Sequence, residues 1–504
     1  MQISSDKQVK FGVILSYILI VLNALYGLIL TPYIISHMGA DNYGVYKTIA
    51  SFVSTLAVVD LGIGGTVQRY VSSFIAKGEE KKIPNFMAMS LIISAGLCVV
   101  LFIISFGLYF VIDPMYSSTF NEDQLHLAKQ LFCVSCATMM VGFMETALGG
   151  LITGHNKFIF GNGSKLVFLL ARIVSLVIYL QFSNNPVGIL VINFLLSLIA
   201  FLVQIIYIRR VLRIKIKFTS WEKFLFFEAG KYTVLMFITS VVSQIFSNLD
   251  NVVIGAIKGP ELVAVYSVGL LIFNMFAQLS CSVSGVMLPT VTNAVHMQDG
   301  GKTLIGIIVK AGRVQFALLG AALAGFICVG KDFVSLWMGE GFEDVYIITL
   351  ILIVPSMFEL CTNTCLSILR AKNMLGFRCI VFVITAVLNA VITVILVKKW
   401  SYIGAAIGTA LSYIAGSLIA MNIYYSKKLH LPMLRIYKGI FGKIWLCLFF
   451  AGGALFIFSR YVNGSWTAFV LCVVFFCVIY TALLLVCGLT KEEKRKIPII
   501  GKRF

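Results

Sequence analysis

The sequence predicts an all-α polytopic membrane protein of about fourteen spanning helices. Three observations predict it. Apolar residues make up 60 % of the 504-residue chain and charged residues only 12 %, about half of what a soluble domain needs to cover its surface. The charges are gathered in short clusters separated by long uncharged runs. The Lys and Arg of those clusters alternate between connections, as the two sides of a membrane require.

A spanning helix needs roughly 20 apolar residues at a rise of about 1.5 Å. Runs of that kind are Phe11–Ile35, Tyr43–Phe74, Asn85–Ile112, Ala128–Thr153, Gly163–Gln181 and Val187–Ile208. A second set comprises Tyr232–Ala256, Leu262–Ala294, Leu304–Val329, Tyr346–Leu369, Gly376–Val397 and Ile403–Tyr424. Ile444–Phe458, the shortest, and Trp466–Cys487 complete the series. The strands of a membrane barrel would alternate with period 2 over about 10 residues, and these runs do not. The first run follows a leader with Lys7 and Lys10, is too long for a signal-peptide core and lacks a small-residue cleavage site, so it reads as a retained helix.

With the N-terminus placed in the cytoplasm, about 31 Lys and Arg fall on the inner side against about 6 outside. Both termini are then expected to be cytoplasmic, and the net charge of +19 follows from topology. A nucleic-acid partner would need a folded basic domain, which the sequence lacks. The twelve cysteines fall in or beside apolar runs, including Cys133-x-x-Cys136 and Cys361-x-x-x-Cys365. A thiol packs there as a small hydrophobe, so no metal site is expected. The five histidines lie in connections without ligand spacing. Without a nucleotide loop or an HExxH motif, the chain is expected to be neither an ATPase nor any other enzyme, and to need no cofactor beyond a coupling ion such as H+ or Na+.

The chain repeats internally. Gly39-Ala-Asp41-Asn-Tyr-Gly44-Val45-Tyr46 recurs as Gly259-Pro-Glu261-Leu-Val-Ala264-Val265-Tyr266, the pattern G-x-[DE]-x-x-[GA]-V-Y. Lys82 matches Lys302 at the same offset, and Pro186-Val187-Gly188 parallels Tyr402-Ile403-Gly404. The expected organisation is a six-helix bundle over 1–208, a basic cytoplasmic linker over 209–230, a second bundle over 231–427, and two extra helices with a basic tail over 428–504. Parallel repeats of this kind place a transport pathway between two bundles and work by rocking. In the linker, Thr219-x-x-Glu222 fits a capping box and predicts a short helix from Trp221. Trp221, Phe224 and Phe227 could then sit in the headgroup layer while Lys and Arg hold anionic lipid, or the segment is a plain positive-inside loop.

Charges at membrane depth cost about 2.5–3.5 kcal/mol on insertion scales and usually face a cavity or a partner. The candidates for substrate binding are Arg69, Arg172 and Lys47. The candidates for ion coupling or charge pairing are Asp60, Glu145, Asp250 and Glu359. Lys47 and Arg69 would share a face of one regular helix, with Asp60 opposite Arg69, unless Gly62, Gly64 and Gly65 bend it. A cationic cavity in the first half is favoured over purely structural ion pairs for Arg69 and Arg172. For Asp250 and Glu359 the two readings stand level.

The segments YGVYKTIASFVSTLAVVDLGIGGTVQRYVS and FSNLDNVVIGAIKGPELVAVYSVG resemble the polysaccharide-transporter branch of the multidrug/oligosaccharidyl-lipid/polysaccharide exporter superfamily. The resemblance covers essentially the whole chain. It implies flipping of an undecaprenyl-diphosphate-linked oligosaccharide across a bacterial inner membrane for O-antigen, capsule or exopolysaccharide synthesis, with a polysaccharide polymerase as a possible partner. Two alternatives within the superfamily remain, a multidrug antiporter and a peptidoglycan lipid II flippase. Arginine's fork binds a diphosphate bidentately, whereas a cationic drug would need an acidic cavity.

Overall fold

A computed structural model describes residues 5–56, 63–221, 244, 246–295, 300–372, 374, 376–462, 464–490 and 493–494. Among the described residues the chain is helical and contains no strand. Nine helical stretches are long and apolar enough to cross a membrane, or eleven when each of two bent pairs counts as one. One of the nine, Gly376–Lys428, contains two of the predicted runs, because the backbone leaves helical angles at Trp400 and Ser401. The second and seventh predicted runs include residues outside the described set.

The chain forms two compact units, Met1–Ala264 and Val265–Phe504. The helices of the first are α1 (Ser5–Met38), α2 (Ala40–Leu56), α3 (Ile63–Ala76), α4 (Ile83–Tyr109), the short α5 (Ile112–Tyr116), α6 (Glu122–Gly154), α7 (Phe158–Phe182), α8 (Pro186–Tyr207) and α9 (246–258). The central helix is α6, which packs on α2, α3, α4, α7 and α8, while α1 lies on α7. Helical spacing dictates these faces. Ile63, Val67, Val71 and Phe74 recur every three or four residues on α3 and are buried against Ala147, Leu148 and Leu151 of α6. On α1 the same spacing leaves Phe11, Ile14, Ile18, Val21, Leu25 and Ile29 exposed. An apolar stripe of that length is suited to acyl chains rather than water.

The repeated motif has a local structural counterpart. Gly39 and Gly259 both adopt positive φ, 81° and 98°, and each is followed by a helix, α2 at Ala40 and α10 (Pro260–Val295) at Pro260. The motif's acid, Asp41 or Glu261, falls in the first helical turn, where a carboxylate meets the positive end of the helix dipole. Gly44 lies so close to Pro260 that a Cβ would run into the Pro260 carbonyl. Nearby, Asn251 on α9 donates to Ser51 Oγ at 2.9 Å and Thr119 donates to the Gly255 carbonyl at 2.9 Å.

The second unit continues with α11 (Gly300–Met338), α12 (Val345–Cys361), α13 (Thr364–Ala371), α14 (Gly376–Tyr413), α15 (Met421–Lys428), α16 (Met433–Phe441), α17 (Ile444–Ser459) and α18 (Trp466–Leu483). Here α11 packs on α12, α16, α17 and α18. The shortest predicted run becomes α17, bent by 43° from α16. Sequence reading takes the α16 segment as part of a basic inner loop. It folds as an amphipathic helix because Met433, Ile436 and Ile440 share its buried face. The sixth helix of each predicted bundle carries π winding, over Ile208–Leu212 and Ile414–Ala420, a distortion common at functional sites.

Glu493, beyond α18, is fastened to α11 through Arg313, which is 8 % exposed. Its Nε donates to Glu493 Oε1 at 2.8 Å and its Nη2 to Glu493 Oε2 at 3.1 Å. The same guanidinium also donates to the carbonyls of Gly439 and Gly488. Burial pushes the Glu493 carboxyl up, but hydrogen bonds from Arg313 and Thr490 outweigh it and hold the group below the usual glutamate value. A depressed folded pKa stabilises above the unfolded value and is lost as pH falls through the folded one. Glu493→Ala is therefore expected to cost about 1–3 kcal/mol at neutral pH. The gap between thermal melts of wild type and variant in detergent should narrow as pH falls below the ordinary glutamate range and close once the folded carboxyl is protonated, and a gap independent of pH would contradict the assignment.

Candidate functional site

Four helices of the first unit present polar groups to a cavity of about 260 Å3. Helix α7 supplies Lys165 and Arg172, seven residues or two turns apart and so on one face, with Phe168 and Leu169 between them. Ser197, Ala200 and Gln204 come from α8 on a similar three-to-four spacing, Glu145 from α6, and Leu19 and Asn23 from α1. The position of α7 is set partly by Asn162, whose amide donates to the Gly12 carbonyl at 2.9 Å and to Ser16 Oγ at 2.8 Å on α1.

The polar atoms of the cavity are incompletely satisfied. Gln204 donates through Nε2 to Glu145 Oε1 at 3.1 Å, so an amide rather than a guanidinium holds this carboxylate. Gln204 Oε1 and Arg172 Nε are buried without a hydrogen-bond partner among the described residues. Buried polar atoms are nearly always paired, and an orphan costs about 1–3 kcal/mol. Both residues line the cavity, which also holds Lys165 and Glu145. Its formal charge, Lys165 and Arg172 against Glu145, is net positive.

Tyrosines extend this environment toward α2. Arg172 lies within electrostatic reach of Tyr26 and Tyr46, and Lys47 also acts on Tyr46. The Lys47 ammonium sits 5.3 Å from the Tyr43 ring centre and 5.9 Å from that of Tyr46, within cation–π range. Lys47 and Arg172, distant in sequence, thus both act electrostatically on Tyr46. An aromatic ring with a polar tip suits the apolar faces and hydroxyls of a sugar.

The other predicted residues lie elsewhere. Arg69 is on the exposed side of α3 and is not part of the cavity lining. Asp60 lies outside the described residues, as does the segment joining α2 to α3 on which the shared face of Lys47 and Arg69 depends. Asp250 is buried on α9 at 3 % exposure, away from the cavity lining. Glu359, in the second unit, faces Arg378 at 3.8 Å. From Trp221 the predicted linker helix runs into undescribed residues, and 213–221 forms no regular structure.

Sequence reasoning missed Gln204, Asn23, Lys165 and the tyrosines. Lys165 stands at the start of its apolar run, where a cation needs no partner, and the neutral residues carry no signal beyond their place in such a run. A larger pocket, about 710 Å3, is lined by Asp41, Asp123, Glu261 and several asparagines. Its carboxylates would repel an anion, so chemistry rather than size favours the smaller cavity.

Residues 9–295 match the protein family described as polysaccharide biosynthesis protein. A Haloferax volcanii protein assigned as the flippase AglR is 24 % identical over 79 % of this chain and 79 % of its own. A Shigella flexneri protein assigned as an O-antigen transporter is 19 % identical over 77 % of this chain and 90 % of its own. Among solved structures, the lipid II flippase MurJ in an inward closed conformation superposes with a TM-score of 0.71 at 16 % identity, covering 92 % of this chain and 97 % of that one. The fold is thus that of a polytopic transporter.

Proposed function

The chain belongs to the polysaccharide biosynthesis protein family, and from that premise we propose that it flips a polyprenyl-diphosphate-linked oligosaccharide from the cytoplasmic to the outer leaflet. The observation that carries this reading is the net-positive cavity on which Lys165 and Arg172 converge with Glu145 and Gln204. A diphosphate supplies acceptors for the cationic side chains of Arg172 and Lys165. Two relatives assigned as a flippase and an O-antigen transporter support the same substrate class. The cationic character disfavours a multidrug cation antiporter.

The hydrocarbon core opposes passage of the charged head and its hydrated sugars, because each polar group would lose its water. The cavity replaces part of that water while the polyprenyl chain stays in lipid. Glu145 then serves as the switch in charge. Protonated, it leaves Lys165 and Arg172 uncompensated and favours binding; ionised, it competes with the diphosphate and favours release. Both termini lie on the cytoplasmic side in this reading, the transport cycle alternates access to the two leaflets, and the coupling ion acts through such acids.

Loss of the gene provides the test. Lipid-linked repeat units should accumulate in the cytoplasmic leaflet, protected from a membrane-impermeant glycosidase or lectin, while surface polysaccharide disappears. Absence of any trapped lipid-linked sugar would overturn the substrate assignment.

A further inference from the structure

A third cavity, of about 590 Å3, opens in the first unit, where α8 leads into the basic linker. Its walls are apolar: Leu91 from α4, Leu148 from α6, Phe201 and Ile205 from α8, and Ile214 and Ile216 from the linker itself. Arg209 and Lys215 are its polar lining residues. It shares no lining residue with the Glu145–Arg172 cavity.

The linker is built into this cavity rather than merely passing it. After the π-wound Ile208–Leu212, Arg213 takes a left-handed φ of 55°, and Ile214 N–H bonds back to the Ile208 carbonyl at 3.3 Å. That turn costs conformational energy for a residue with a Cβ. Further along, the Asn85 side chain accepts from the backbone N–H groups of Thr219 and Ser220 at 2.8 and 3.2 Å. It also donates to the Ser220 carbonyl at 3.0 Å. One 7 % exposed amide at the start of α4 thus clamps the linker at Thr219 and Ser220, and Ile214 and Ile216 are held as a wall. A tether that only joined two bundles would need neither device.

We propose that this cavity holds an acyl chain of an anionic phospholipid of the cytoplasmic leaflet, with the lipid phosphate between Arg209 and Lys215. Charge selects the occupant. Residues 209–217 carry Arg209, Arg210, Arg213, Lys215 and Lys217 without one acid, and each such cation near a membrane surface attracts anionic lipid. A zwitterionic choline head would bring a cation of its own to that rim. The transported lipid would bring a glycan, for which the apolar walls offer no hydrogen-bonding partner. The proposal concerns bulk lipid and stands apart from the transport reading.

The full-length protein in phosphatidylcholine vesicles, with phosphatidylglycerol carrying a photoreactive group near its acyl terminus, provides the test. Cross-links should map to Leu91, Phe201 or Ile205, and the phosphatidylcholine analogue should label them only at background. R209Q/K215Q should lower the phosphatidylglycerol labelling about 30-fold. Ile205→Trp, which fills the cavity and leaves both cations in place, should also abolish it, so the answer does not depend on the charge variant folding. Equal labelling by both lipids, or labelling that survives Ile205→Trp, would overturn the proposal. Displacement of phosphatidylglycerol by added polyprenyl diphosphate would overturn it too, by making the cavity part of the substrate path.

Discussion

Arg172→Ala is expected to lower transport of lipid-linked oligosaccharide at least tenfold while the protein still reaches the membrane in normal amount. Truncating one partner of a buried charge-assisted contact costs about 2–5 kcal/mol, which far exceeds a tenfold change. Stability should be preserved or slightly raised, because Arg172 Nε has no hydrogen-bond partner among the described residues to lose. Arg172→Lys should restore only part of the activity, since an ammonium keeps the charge but cannot bind bidentately. The measurement is the rate at which lipid-linked sugar becomes accessible to an impermeant lectin in proteoliposomes. Wild-type rate in Arg172→Ala would remove the cavity from the mechanism. Arg69→Ala supplies a comparison from the exposed side of α3: an equal loss would extend the binding surface beyond the cavity.

Gly44→Val should prevent the first unit from packing as it does. The added Cβ would collide with the Pro260 carbonyl, a backbone atom that cannot swing aside as a side chain tip can. Overpacking costs about 1–3 kcal/mol where neighbours can shift, and here the obstacle is backbone at the start of a helix. Loss of monodisperse protein in detergent, or a markedly lower Tm, is the expected outcome. Gly65 on α3 has open space where its Cβ would stand, so Gly65→Ala should be neutral or gain up to about 1 kcal/mol from helix propensity. Equal behaviour of the two variants would show that the contact at Gly44 does not constrain packing.

The contrast between these glycines marks how far the sequence reaches. The motif G-x-[DE]-x-x-[GA]-V-Y announced a repeat, and both copies start a helix behind a positive-φ glycine. That much is local: a turn, a helix dipole and an acid in the first helical turn act within a few residues. The long spans were legible for a related reason, since lipid demands an unbroken apolar run with its backbone bonded internally. Composition and spacing also marked Arg172 and Glu145, because a charge inside such a run is costly wherever the helix goes.

Which faces meet was not legible. Arg69 and Arg172 look alike in sequence, yet one lies on an exposed helix side and the other lines a cavity with Glu145. Gln204, Asn23 and Tyr46 carry no insertion penalty large enough to single them out, and they matter only because α1, α2, α6, α7 and α8 bring them together. The linker shows the same division. Its charge was evident, but its role as a wall depends on Arg213 turning the chain and on Asn85, far away in sequence, clamping it. The sequence by itself determined the solvent of this protein, its helical spans, the motif that twice opens a helix and the residues whose charge needs an explanation. The tertiary structure alone decided which of those charges face one another, because convergence is set by packing between distant helices, and periodicity along a single helix does not encode its partner.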